Sequence, residues 1–372
     1  MSLPFIFFLY FVITFIILNY IYFRLIVFYR QIKYKDKETG KEIDLSEKYD
    51  PFRPYDPINY TTFILFGLFL FPIRSILSFL VCVFFCLNLK YLKYKYKNLN
   101  SDPYESEIRS EVIKFWSFLF LFFNGISLEK EKIDFQEIYK KYLGPDYNFS
   151  LEKYSLLICN HIGFYDVIAN MSINGCGFMA MKIISGFPIG GDIARDSGGI
   201  FVERLSESSR KESFDAVMQR QKDFYEGKIV NKLMVFPEGT TSNNRYIVKF
   251  KKGAFRLLLP LKPILIHIEQ NSPFHLCSNV TNLFFHVLRS FTCLKNKMYF
   301  CELPIIEPTN YMYENYRHFG KEKWEIYANV VKNIYAELGK FKMSELGHRD
   351  KDFFYEALES GVFPKELINK NI

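Results

Sequence analysis

The spacing of apolar positions changes character near residue 130. Before it, apolar residues come in long unbroken runs. Ser2–Phe23 carries no charged side chain, and as a helix it covers about 30 Å of hydrocarbon. The run lacks the basic start and small-residue cleavage site of a secretory signal, so it is expected to be a transmembrane anchor. A second apolar region falls into two halves, Ile58–Ile73 and Ser75–Leu89, divided by Arg74 just after Pro72. As helices, the halves reach only about 22–24 Å each, short of a crossing. Proline breaks helices, and an arginine is costly at the bilayer centre. This predicts a re-entrant or interfacial helical hairpin. The alternative is one tilted span around Arg74, which would place everything downstream across the membrane. Phe115–Leu128 is a third apolar run, too short to span, either an interfacial helix or a buried one.

Beyond residue 130, short apolar runs alternate with polar, helix-like stretches. Candidate strands are Tyr154–Cys159, Phe178–Met181, Ile200–Val202, Leu233–Phe236, Ile264–Ile268 and Met298–Leu303. Candidate helices include Ser206–Tyr225 and Lys321–Leu338. Apolar strands separated by helices imply an α/β domain whose sheet is covered by helices. The domain organisation expected from these shifts is an anchor (1–30), a cytosolic linker (31–57), the hairpin (58–97), a catalytic domain (98–345) and a C-terminal tail (346–372).

Charge adds orientation. The net charge is +8 over 372 residues, and basic residues cluster beside the apolar runs, which suits anionic head groups or a phosphate-bearing substrate. A nucleic-acid partner is not expected. Arg24, Arg30, Lys33, Lys35 and Lys37 follow the first run, which places the rest of the chain in the cytosol. Lys90, Lys93, Lys95 and Lys97 interleave with tyrosines and read as snorkelling side chains at head-group depth. The 7 cysteines show no paired spacing, so neither a zinc site nor a disulfide framework is expected.

The chemistry begins at Asn160-His161-Ile162-Gly163-Phe164-Tyr165-Asp166. On a regular helix, residues five apart diverge by about 140°. They meet if His161 lies in a strand-to-helix turn and Asp166 in the first helical turn. A carboxylate there orients the imidazole and leaves its other nitrogen as a general base. Taken alone, His and Asp at this spacing more often just share a loop. Three further stretches follow in order. GGIFVER (198–204) ends a strand on Arg204, suited to a phosphate. FPEGTTSN (236–243) runs a strand into a turn of acid, backbone amides and hydroxyls, suited to an oxyanion or a hydroxyl. PLKPILIHI (260–268) is an apolar strand opened by Pro263. Each alone is explained by an ordinary strand end. His267 reads as a core residue rather than a ligand.

With these residues the chain resembles the glycerophospholipid acyltransferase family. Asn160-His161 with Asp166, Gly199-Ile200-Phe201-Val202 with Arg204, Phe236-Pro237-Glu238-Gly239-Thr240, and Pro263-Ile264 match its four motifs, and FKKGAF (250–255) a further pattern. Within the family it looks most like the lysophosphatidylcholine and lysophosphatidylethanolamine acyltransferases. The resemblance implies an α/β fold, a mixed sheet covered by helices (glycerolipid acyltransferase-like), with an N-terminal transmembrane helix and a hydrophobic helical hairpin. It also implies acyl transfer from acyl-CoA to a lysophospholipid hydroxyl, with His161 and Asp166 catalytic. Asn160, Gly199, Arg204, Glu238, Gly239 and Thr240 would bind substrate, with Glu238 given a hydroxyl or Arg204. Acyl-CoA enters as co-substrate; no cofactor and no metal are expected. Membrane lipids are expected partners, and the endoplasmic reticulum is the default location. A catalytically silent subunit of a larger membrane complex is the first rival, and a serine hydrolase using Ser155 or Ser172 the second.

Overall fold

A computed structural model describes residues 3–29, 33–35, 42–44, 49–53, 59–203, 207–269, 276–278 and 283–360. The first run forms α1 (Leu3–Tyr29), and a two-stranded antiparallel ribbon follows, β1 (Lys33–Lys35) with β2 (Glu42–Asp44). The second apolar region is one helix, α2 (Tyr60–Lys95), whose N-cap Asn59 accepts from the Thr61 and Thr62 amides. It does not break at Pro72, which corrects the expected hairpin. The reason lies in where Arg74 points. Arg74 is 8% exposed, and its guanidinium turns away from the open face and donates to the carbonyls of Cys293 and Leu294. A cation satisfied by protein carbonyls has no need to avoid the apolar run.

Helix α3 (Pro103–Phe123) starts at the cap residue Asp102 and returns antiparallel to α2. Asn124 Nδ2 meets Ser78 Oγ at 2.9 Å, while Trp116 stacks on Phe84. The apolar run 115–128 is therefore the end of α3, a turn at Gly125 and a strand, β3 (Ile126–Lys130). The expected snorkelling of Lys90 and Lys93 is also revised. Both pair with acids of α6 (Gly190–Asp196): Lys90 with Asp192 at 2.6 Å and Lys93 with Asp196 at 3.0 Å. Thus α2, about 54 Å long, is pinned to the domain near both its middle and its end. α1 runs antiparallel beside it, with Tyr22 against Tyr60 and Phe11 against Phe69.

The remaining elements are α4 (Gln136–Leu143), β4 (Leu156–Cys159), α5 (Phe164–Asn174), β5 (Gly177–Met181), β6 (Ile200–Val202), α7 (Glu207–Tyr225), β7 (Leu233–Val235), β8 (Tyr246–Ile247), β9 (Leu261–Ile268), α8 (Leu283–Ser290), β10 (Asn296–Glu302), α9 (Asn310–Asn315), α10 (Lys323–Leu338), β11 (Lys342–Met343) and α11 (His348–Ser360). Seven strands form one sheet in the order β3-β10-β9-β4-β7-β5-β6. It is mixed: only the β9–β10 pair is antiparallel. One apolar layer joins the sheet to α4 and α10 through Tyr139, Phe255, Tyr327 and Tyr335. The opposite layer joins it to α3 and α5 through Leu121, Tyr165 and Ala169. Burial on both faces explains why the central strands are solidly apolar rather than alternating. The segment expected as a tail contains α11, whose Phe354, Ala357 and Leu358 bury against Tyr49, Phe52 and Val248.

Candidate active site

The site forms where β4 ends. Neighbouring strands β7 and β9 run parallel to β4, so their C-terminal ends lie together, the usual place for a site in such sheets. Asn160, the first residue past β4, spends its side-chain amide on the sheet. Its Oδ1 accepts from the Ile266 amide and its Nδ2 donates to the Ile266 carbonyl, each at 2.8 Å. It is 3% exposed and works as a brace on β9, so the expected substrate contact is replaced by a structural one.

His161 and Asp166 converge. The ring Nδ1 lies 3.0 Å from Asp166 Oδ2. That same oxygen accepts the amides of Ile162 and Gly163, so the carboxylate, fully buried, closes the first turn of α5 and holds the imidazole at once. Gly163 is required by space: a Cβ there would lie 2.7 Å from the Leu276 carbonyl oxygen. The imidazole stacks on Phe236, ring centroids 4.1 Å apart, and keeps 20% of its side chain exposed. Its Nε2 has no protein partner among the described residues. An oriented ring with one open nitrogen is the arrangement of a general base.

Glu238 has a different place from the one the sequence suggested. It is wholly buried. Oε1 accepts the His161 amide at 2.7 Å and Oε2 the Val248 amide at 3.0 Å. Burial pushes its carboxyl up to about 8, against the pull of those two amides. With both oxygens on backbone, Glu238 holds the histidine rather than a substrate hydroxyl. The carbonyl of His161 is held as well, by the Ser242 amide at 2.8 Å. Gly239 has φ +61°, a left-handed turn suited to glycine, and a Cβ there would meet the Lys251 side chain at 2.7 Å. Thr240 is buried beside it. Gly199 immediately precedes β6, which is separated from β4 by β7 and β5, and its amide donates to Ala194 O. Arg204 lies outside the described residues.

Sequence reading missed two contributors. Asn243 donates to Asp50 O at 2.6 Å while its own amide bonds Pro51 O, fixing residues 49–53 onto the FPEGTTSN turn. Lys351, from α11, donates to Thr241 O at 3.1 Å and to the Thr241 hydroxyl. Neither partner is near in sequence, so no local pattern announces it. Of the other candidates, Ser155 Oγ bonds Pro260 O at the start of β4, the far end of the strand from His161. His267 packs on Phe341, and burial pushes it down to about 4.

Residues 140–268 match the acyltransferase family. Over these residues the chain is similar to that family. The match contains His161, Asp166 and Glu238 and ends with β9. Among curated proteins, the lysophospholipid acyltransferase LPEAT1 of Arabidopsis thaliana is 26% identical over 212 residues, 57% of this chain and 51% of that one. Lyso-ornithine lipid O-acyltransferase of Rhizobium meliloti is 30% identical over 118 residues, 31% of this chain and 38% of that one. Lysophosphatidylcholine acyltransferase 1 of Rattus norvegicus is 30% identical over 113 residues, 30% and 20%. The chain spans about half the length of LPEAT1 and less of the others. Among solved structures, the 1-acyl-sn-glycerophosphate acyltransferase PlsC of Thermotoga maritima superposes with TM-score 0.48 at 14% identity, over 74% of this chain and 97% of that one.

Proposed function

We propose that the chain is a membrane-bound O-acyltransferase that moves a fatty acyl group from acyl-CoA to the free glycerol hydroxyl of a lysophospholipid. The observation that carries this is the His161–Asp166 pair at 3.0 Å with an open Nε2, inside the stretch similar to the acyltransferase family. His161 Nε2 takes the acceptor's hydroxyl proton as that oxygen attacks the thioester carbonyl. The carbon–sulfur bond breaks, CoA leaves as a thiolate, and His161 returns the proton to it. Asp166 stabilises the imidazolium between the two transfers. Arg204 is assigned to the acceptor's phosphate.

The lipid side of the reading rests on exposed apolar surface. Phe69, Ile73, Ile76, Phe79, Leu80, Phe84 and Leu87 line one open face of α2, and Phe115, Phe118 and Phe122 continue it on α3. Helices α1 and α2 are each long and apolar enough to cross a membrane; in this reading α1 crosses, while α2, held along the domain by Arg74, Lys90 and Lys93, lies at the interface. Past β5, Ile183 and Phe187 stand 68% and 54% exposed, an apolar lip at the same end of the sheet as His161. A site so flanked takes acyl-CoA from water and the lysolipid from the leaflet, with the domain on the cytosolic face of the endoplasmic reticulum.

The test is turnover by the purified protein in detergent or liposomes, with acyl-CoA and a panel of lysolipids. His161→Ala should lower the rate by on the order of 10²–10⁴-fold, the share general base catalysis supplies, with membrane association intact. Equal rates in wild type and variant would sink this reading, and a silent wild type that co-purifies with a larger assembly would favour the non-catalytic subunit.

A further inference from the structure

The backbone of His161 is gripped on both sides. Its amide goes to Glu238, and its carbonyl accepts the Ser242 amide. That second grip depends on one peptide unit, Thr241–Ser242. The N–H of this unit points to His161. The C=O of the same unit accepts from Lys351 Nζ at 3.1 Å, and the ammonium also reaches the Thr241 hydroxyl. An N–H donor on the carbonyl end of a peptide polarises the unit and strengthens the bond made by its own N–H. Lys351 comes from α11, 110 residues away, well past the matched family region.

Its placement is built rather than incidental. Helix α11 docks through Phe354, Ala357 and Leu358, with Tyr49 stacked on Phe354, ring centroids 5.0 Å apart. Residues 49–53 are themselves tied to the catalytic turn through Asn243. At the other end of the helix, the Gly347 amide caps onto Asp350 at 2.7 Å. The stem of Lys351 runs partly exposed while its ammonium turns inward, and Glu238, Cys277 and Asp352 are the groups that face it.

We infer that Lys351 is a positioning residue for acyl transfer: it fixes the Thr241–Ser242 peptide and through it the carbonyl of the catalytic His161. The inference rests on the acyltransferase reading for its kinetic arm only. The role is remote from the reacting atoms, so it should act on the geometry of the bound complex and not on substrate affinity.

The experiment compares Lys351→Met, Lys351→Arg and wild type by acyl-transfer kinetics and by amide hydrogen exchange. Lys351→Met should lose on the order of 10–100-fold in kcat while KM for both substrates changes by less than about threefold, since misplacing a catalytic group costs the chemical step. Lys351→Arg, which can still donate to a carbonyl, should recover most of that loss. In the Met variant, exchange should rise in residues 239–248 and stay unchanged in the central strands. Wild-type kcat in Lys351→Met overturns the inference. So does a loss that Lys351→Arg fails to restore and that comes with faster exchange across the whole sheet, because that is a general folding defect. If wild type itself shows no acyl transfer, the proposed function fails. The exchange pattern then decides the inference: local loosening at 239–248 upholds it, and no change there overturns it.

Discussion

At the scale of single residues, the site separates what the reaction needs from what the fold needs. The meeting of His161 and Asp166 was readable from sequence because it is local: a turn and one helical turn bring the two side chains together. Asn160 and Glu238 were equally visible as motif letters, yet their roles were not, because their partners, Ile266, Val248 and a backbone amide of His161, belong to other segments. A motif records that a residue type is needed and is silent on what it faces. Glu238 gives a testable case. Its ordinary value near 4.5 is raised to about 8 by burial, so the folded state holds that proton more tightly than the unfolded chain. The stabilisation this supplies is fully present below the unfolded value and is lost as pH rises through the folded one. Glu238→Gln is neutral at every pH but sets an amide N–H₂ against a backbone N–H, so it should be less stable than wild type. The gap in melting temperature between the two should narrow as pH is raised from about 4.5 to 8. A gap that is constant over that window would show that Glu238 does not change protonation there.

At the scale of elements, the strands were legible and some helix boundaries were not. The six apolar runs read as strands all lie in the central sheet, and β4 and β7, buried along their whole length, are apolar throughout. β3 escaped because it follows α3 directly inside one apolar run, with only Asn124-Gly125 between them. The break assigned at Pro72 failed for a reason that sequence spacing cannot contain: the carbonyls that receive Arg74 lie 219 and 220 positions away. The proline is accommodated while Ser75 Oγ bonds the Phe71 carbonyl at 2.6 Å. Gly125 is the hinge of this arrangement. Its φ is +70°, and a Cβ would stand 2.6 Å from Arg74 Nη2 and 2.8 Å from Leu294 O. Gly125→Ala should therefore cost at least the roughly 1–2 kcal/mol of a left-handed residue with a side chain, plus the displacement of Arg74. Thermal unfolding in detergent checks it. An unchanged melting temperature would mean that the α2–α3–β3 corner is looser than the contacts imply.

At the scale of the whole molecule, the question is which surface meets lipid. α2 is held along its length by Arg74, Ser78, Lys90 and Lys93, so it lies against the α/β domain instead of projecting from it. Its outward face, continued by α3, is a broad apolar surface of the kind that marks a membrane contact. The positions Phe115, Phe118 and Phe122 suit a test because they are 54%, 54% and 61% exposed. Trp116 and Phe120, on the inward side, carry the packing. Replacing the three exposed phenylalanines by serine removes apolar area from the lipid face and none from the core. Binding to phosphatidylcholine vesicles, measured by flotation on protein truncated before residue 31 so that α1 cannot mask the effect, should fall by on the order of tenfold or more. Acyl transfer to a lysolipid presented in detergent should stay near that of the same truncated parent. Undiminished flotation would move the lipid contact elsewhere, and an equal loss of turnover in detergent would show that these side chains support the site rather than the membrane.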